Sequence, residues 1–194
     1  FTQDNTNLRI LLEDSIDFRD PNYYFGISCR SCDPPKTEYY ENRLRDVFSQ
    51  TTFSDLFVNS NNDIWQNFIL SESKNLNRDI FFIGSELADY TKLGDHIKLA
   101  MTVPHHGLNW IKNEPWAYLD KTRNLHNKNA IYLVAAGPLS KIIIHDLYYV
   151  GNKLNNNNSQ YIDIGSSLDN ILFDKITRSY QLSNSEYRKR ICSF

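Results

Sequence analysis

The sequence predicts an α/β chain with a doubly wound, mainly parallel sheet carrying helices on both faces, a Rossmann-like arrangement. Three observations carry that expectation. The runs Asp79 to Ile83 and Ile131 to Ala136 are apolar without alternation, as parallel strands covered on both faces are. Strand-like and helix-like stretches follow one another along the chain, with no internal repeat. Four strand ends carry small or polar clusters: Asn59-Ser60-Asn61, Gly84-Ser85-Glu86, Gly137-Pro138-Leu139-Ser140 and Gly165-Ser166-Ser167-Leu168-Asp169. A parallel sheet delivers all four to one edge.

In order, Thr2 or Asp4 suits the cap of a first helix reaching Ile16, with Leu8, Leu11, Leu12 and Ile16 as its apolar stripe and Pro21 beyond its end. Tyr23 to Ile27 reads as a strand by aromatic and β-branched content. After a Cys29 to Pro35 turn, Thr37 to Phe48 predicts a helix, and Phe53 to Val58 a strand. Asn62 or Asp63 opens a helix bearing Trp65, Phe68 and Ile69. The strand Asp79 to Ile83 leads to a short helix, Leu87 to Leu93, and a strand from Ile97 to Val103. Pro104 to Gly107 reads as a loop, and Pro115 starts a helix containing Trp116, Leu119 and Leu125. Then come the strand Ile131 to Ala136, a helix entered at Gly137-Pro138 with Leu139, Ile142, Ile143, Leu147 and Val150 as its stripe, and the strand Tyr161 to Ile164. Ile171 to Phe173 and Glu186 to Ile191 close the pattern as helical turns, and Asn155 to Asn158 reads as a solvated insertion.

A chain of 194 residues fits a single domain, residues 1–194. Its 21 basic and 23 acidic residues nearly cancel, which argues against a general attraction to nucleic acid or an anionic membrane. Arg188-Lys189-Arg190 reads as a solvated face, and no apolar run approaches the roughly 20 residues of a transmembrane helix. The expectation is a soluble protein. Cys29, Cys32 and Cys192 are too few for a disulfide scaffold and suit a reducing compartment. The Cys29–Cys32 spacing reads first as packed thiols, with a redox pair as the alternative. The chain does not begin with Met, and its first helix looks already under way, so an upstream segment is expected.

Among chemically useful residues, backbone N–H groups at Leu139 and Ser140, or at Ser166 and Ser167, are candidates to hold a phosphate, with Gly137 and Gly165 letting the backbone come close. Asp163 and Asp169 are placed to accept from ribose or sugar hydroxyls or to hold a divalent metal; Asp169 equally fits the cap of a helical turn. Arg178 offers a bidentate fork for a diphosphate, or a surface charge. Glu86 suits a base, or a first-turn helix acid. Adjacent His105 and His106 point to opposite faces of an extended segment and have no third ligand at suitable spacing, which disfavours a metal there. No GxxxxGK[ST], GxGxxG or GxSxG pattern occurs.

Ala136-Gly137-Pro138-Leu139-Ser140-Lys141, an amphipathic helix, and Tyr161-Ile162-Asp163-Ile164-Gly165 together resemble the C-terminal half of glycosyltransferases of the GT-D fold. Tyr161 to Asp169, followed by Thr177-Arg178-Ser179-Tyr180, looks like the branch found in bacterial polysaccharide clusters and large DNA viruses, as do Tyr24 to Cys32 and Phe57 to Asn61. The resemblance implies a transferase that moves a sugar from a nucleotide-diphosphate donor to a glycan or protein acceptor, in a bacterial or infected-host cytoplasm. It implies a nucleotide-sugar site at Asn59, Gly137, Pro138, Leu139, Ser140, Asp163, Gly165, Ser166, Ser167 and Arg178, with Asp169 and Glu86 as catalytic candidates. It also implies Mn2+ or Mg2+ held by an Asp-x-Glu motif, which is absent from this chain and in the family precedes the region where the chain begins. Two other readings stand beside it. One is an inactive glycan- or partner-binding remnant of the same fold. The other takes Asp163-Ile164-Gly165 as the nucleotide motif of an S-adenosylmethionine methyltransferase, against which stands its position so late in the chain.

Overall fold

The computed structural model describes residues 6–30, 33–105, 107–125, 129–154, 158–182 and 184–189. The architecture is α/β, and all its strand pairings are parallel. A four-stranded sheet has the order β4 (Ile97–Val103), β3 (Ile80–Ser85), β5 (Ile131–Ala135), β6 (Gln160–Asp163). A separate pair joins β1 (Phe25–Ile27) to β2 (Thr51–Phe53). The helices are α1 (Thr6–Asp17), α2 (Pro34–Arg43), α3 (Asn62–Asn67), α4 (Gly107–Asn113), α5 (Pro115–Arg123), α6 (Leu139–Tyr148) and α7 (Asp169–Leu172).

Strand alternation sorts the core into two faces. Ile83, Met101, Val103, Tyr132 and Val134 point to one face, where Leu8 of α1, Trp110 and Ile111 of α4, Tyr118 of α5 and Leu139, Ile142, Ile143 and Leu147 of α6 cover them. Ile80, Phe82, Ile97, Ile131 and Leu133 point to the other, covered by Trp65, Ile69, Leu93, Leu168 and Leu172. A register shift between Phe82 and Ile83 skips Ala100 on β4, so that strand carries a bulge at the sheet edge. At the amino end of the sheet, the Arg78 guanidinium donates to the carbonyls of Asn129, Ala130 and Asn158 at 2.9–3.1 Å and ties the entries of β5 and β6 together.

The segment leading into β1 packs on α6. The Tyr23 ring packs edge-on against Tyr148 of α6 at 5.7 Å, and Phe18 meets both rings. Burial pushes the Tyr23 phenol up, and the Asp163 and Asp146 carboxylates add to it. The Tyr148 hydroxyl donates to the buried Asp20 carboxylate at 2.5 Å, which fixes the chain between α1 and β1 onto α6.

Several boundaries differ from the sequence expectation for identifiable reasons. Pro34 and Pro35 open α2 instead of preceding it, because Asp33 caps the helix by accepting the Lys36 N–H and proline loses nothing in a first turn. The helix then stops at Arg43, and Arg45–Gln50 continues as a 3-10 stretch. The strand expected over Phe53 to Val58 is confined to Thr51–Phe53, and Ser54–Phe57 turns into a 3-10 segment. The expected helix from Leu87 shrinks to a 3-10 turn, Tyr90–Leu93. The loop expected at Pro104 to Gly107 ends in a helix, α4, that sequence reading missed. Trp116 is 76% exposed and Tyr118 takes the inward position of α5. Thr2, Asp4, Cys32, His106, Arg190 and Cys192 lie outside the described residues. Among the described residues no helix is long and apolar enough to cross a membrane.

Ile143 sits fully buried at the centre of α6 against the middle of the sheet. Ile143→Ala is expected to lower the unfolding free energy by about 2–5 kcal/mol through lost burial and a residual cavity. Urea unfolding checks it, the midpoint falling with an unchanged slope.

Candidate functional site

The links between strands leave a crevice at the carboxyl edge of the sheet. From β3 the chain moves to β4 across the face that Leu93 covers. From β4 it returns over β3 to β5 through α4 and α5, and from β5 it reaches β6 through α6, both on the opposite face. The outgoing links of β3 and β5 therefore diverge. The topological switch point where ligands bind in open α/β sheets lies between these two strands. A cavity of about 440 Å³ opens beside them, a usual size for a small-molecule site. Ser85 and Val103 form its floor, His105, Gly107 and Asn109 one wall, and Ala136, Gly137 and Leu139 the other.

Two glycines shape it. A Cβ on Gly107 would lie 2.7 Å from both Leu139 Cδ1 and Val103 Cγ1, so only glycine lets the start of α4 settle this close to α6. Gly137 has φ of 58° with open space where its Cβ would be. That turn consumes polar groups expected to meet a ligand. The Leu139 N–H donates to the Ala136 carbonyl at 3.2 Å and the Ser140 N–H to the Gly137 carbonyl at 3.1 Å. The Ser140 hydroxyl, fully buried, accepts the Ala136 N–H at 2.9 Å. Pro138 is exposed and immediately precedes the helix, which begins at Leu139.

Glu86, exposed just past β3, holds the segment that follows β4. Its N–H donates to the Val103 carbonyl at 2.9 Å, extending the β3–β4 ladder, and its carboxylate accepts the His105 N–H at 2.9 Å.

At the end of β6, Asp163 accepts from Lys141 Nζ at 2.6 Å on one oxygen and from the Gly165 N–H at 3.0 Å on the other. It thus joins the first turn of α6 to the elbow after β6. Gly165, with φ of 52°, turns the chain into that elbow. The remaining expected site residues gather here, apart from the crevice. The Ser167 N–H closes on the Ile164 carbonyl, and the Ser167 hydroxyl accepts from the Trp65 indole at 2.9 Å. The Ser167 carbonyl takes Asn62 at 3.0 Å, while Ser166 pairs with the Tyr180 hydroxyl at 2.9 Å. Asn59, buried with φ of 54°, packs its 3-10 turn against Ser179–Gln181. Thr177 donates its hydroxyl to Asp169 at 2.7 Å. Arg178 is exposed and donates to the Thr177 carbonyl at 3.2 Å.

Gln181, which sequence reading missed, holds this corner together. It is 5% exposed, accepts the Thr177 and Arg178 N–H groups at 2.8 and 3.0 Å, and donates to the Ser166 carbonyl at 2.8 Å. No local pattern marks a glutamine for such a role. The α4 wall had a signal in the three-residue spacing of Leu108 and Ile111, masked by the loop-like Pro104 and Gly107.

A resident divalent cation needs converging oxygen ligands. Among the described residues no three His, Cys, Asp or Glu side chains converge. Asp163 is bonded on both oxygens, and Glu86 holds a backbone N–H. The described donor set does not fit a metal cage. No family model, curated protein or solved structure matches the chain.

Burial raises the affinity of the half-buried Asp169 carboxyl for a proton, outweighing the Thr177 hydroxyl and the Arg178 charge, which act the other way. The folded state thus holds this proton more tightly than the unfolded chain. Ionising it costs stability as pH rises through the folded value, and the cost vanishes below the unfolded value of about 3.9. Asp169→Asn keeps an acceptor for Thr177 and removes that cost. Thermal melts are expected to place the variant above the parent protein at pH 7, with the two curves converging near pH 3.

Proposed function

We propose that the chain binds a nucleotide-diphosphate sugar in the crevice between β3, β4 and β5 and serves as the donor domain of a glycosyltransferase. The observation that carries the reading is the cavity at the switch point of a parallel sheet. The Gly137 turn supports it, because its open space lets a ligand approach the backbone. The charge of a leaving diphosphate then falls to polar groups that line the crevice, since the described carboxylates do not fit a cation cage. In the transfer, the bond between the sugar's anomeric carbon and the diphosphate oxygen breaks, and its electron pair leaves with the nucleotide. An acceptor hydroxyl forms the new bond and gives up its proton. The released proton passes to water at the open edge of the crevice, Asp169 lying at the elbow beyond β6.

A second reading rests on a specific observation. The turn amides of Leu139 and Ser140 are occupied, which favours a domain that binds the sugar without transferring it.

Isothermal titration with uridine, guanosine and thymidine diphosphate sugars, with and without Mn2+, tests both. The transferase reading expects micromolar to millimolar binding of one donor, together with release of its nucleoside diphosphate when acceptor glycans are added. Asn109→Trp fills the crevice mouth from an exposed position and is expected to weaken that binding at least 10-fold. Binding without nucleotide release supports the second reading, and no binding across the panel overturns both.

A further inference from the structure

Glu86 occupies a place where the β3–β4 ladder must fail. Ser85 stands opposite Val103, and the Glu86 N–H makes one more bond, to the Val103 carbonyl. The next residue on the β4 side is Pro104, which has no N–H to offer. The first donor beyond it is the His105 N–H, and the Glu86 carboxylate receives it at 2.9 Å. The residue just past β3 thereby grips both sides of Pro104, through its main chain before the proline and its side chain after it.

The grip matters for the crevice. Pro104 and His105 line it, and two residues on, Gly107 starts α4 against Leu139 and Val103 with no space for a Cβ. A helix start seated that tightly needs the preceding loop to arrive at one angle. The Gly107 contacts fix one end of the loop, and the Glu86 bond fixes the other.

We infer that Glu86 is a positioning residue that latches the Pro104–His105 loop and so sets the width of the crevice for the diphosphate-bearing ligand. The ligand part of this inference rests on the proposed function; the latch does not. As a base Glu86 would have to take a proton, whereas as a latch it only has to accept a hydrogen bond, which a glutamine carbonyl also accepts.

Amide exchange of His105, followed by NMR on the full chain, reads the latch directly, with the Ile83 amide as an internal control for folding. Glu86→Ala is expected to speed His105 exchange roughly 3- to 10-fold, as loss of one solvent-exposed hydrogen bond implies, with Ile83 unchanged. Glu86→Gln is expected to keep most of the protection. Titration with a uridine diphosphate sugar is expected to show at least 5-fold weaker binding to Glu86→Ala and binding within 2-fold of the parent for Glu86→Gln. Equal His105 exchange in the parent protein and Glu86→Ala overturns the latch. So does a Glu86→Gln variant that binds normally and loses nucleotide release, since that marks a proton-transferring group. A lost latch in Glu86→Ala, combined with no nucleotide diphosphate bound by the parent protein, leaves the latch standing and overturns the proposed function.

Discussion

The hydrogen-bond ladders on both sides of β3 are the interaction on which the rest depends. With β4 on one side and β5 on the other, β3 spends its backbone groups entirely within the sheet. The two neighbours must then be reached by links of one handedness, because right-twisted strands take right-handed crossovers. Moving from β3 to β4 and from β4 back past β3 to β5 are moves in opposite directions, so the links fall on opposite faces. That constraint accounts for the segregation of Leu93 from Trp110, Ile111 and Tyr118, and it opens the sheet edge above β3 and β5. No side chain there has to create the crevice. The side chains only determine how wide it is and what lines it.

Helix packing narrows the opening. Leu139, at the first position of α6, touches Gly107, at the first position of α4, and both rest on Val103. The apolar contact that closes the upper core is therefore also the rear wall of the cavity. A larger residue at 107 would separate the helices and loosen the packing of Trp110 and Ile111 over the sheet, coupling crevice width to core stability.

The sheet strands and α6 were legible in the sequence because their signal is hydrophobic periodicity, which burial enforces. The weaker strand expected around Ile97 to Val103 is β4, and the apolar runs Asp79 to Ile83 and Ile131 to Ala136, which stood out for the lack of alternation that two covered faces produce, correspond to β3 and β5. The regions read poorly were those held by side-chain hydrogen bonds. Asp33 turns a proline pair from a breaker into a helix start, and Gln181 ties Thr177, Arg178 and Ser166 into one corner. Such bonds depend on which distant backbone groups lack partners, and residue type does not reveal that. The candidate site was legible to the same degree. Gly137 was placed at a cavity, whereas the convergence expected of all four strand ends resolved into a crevice beside β3 and β5 and a separate elbow beyond β6.

The fate of the polar residues at those strand ends follows from satisfaction of hydrogen bonds. A parallel strand that stops leaves donors and acceptors that must be met close to the core, where an unmet group costs on the order of 1–3 kcal/mol. Ser140 meets the Ala136 N–H, Ser167 meets the Trp65 indole, Asp163 meets the Gly165 N–H and Glu86 meets the His105 N–H. The small and polar residues that suggest a binding edge are thus first needed to finish the strands. On the proposed function, a ligand meets only what remains: the shape of the cavity and the backbone exposed at Gly137.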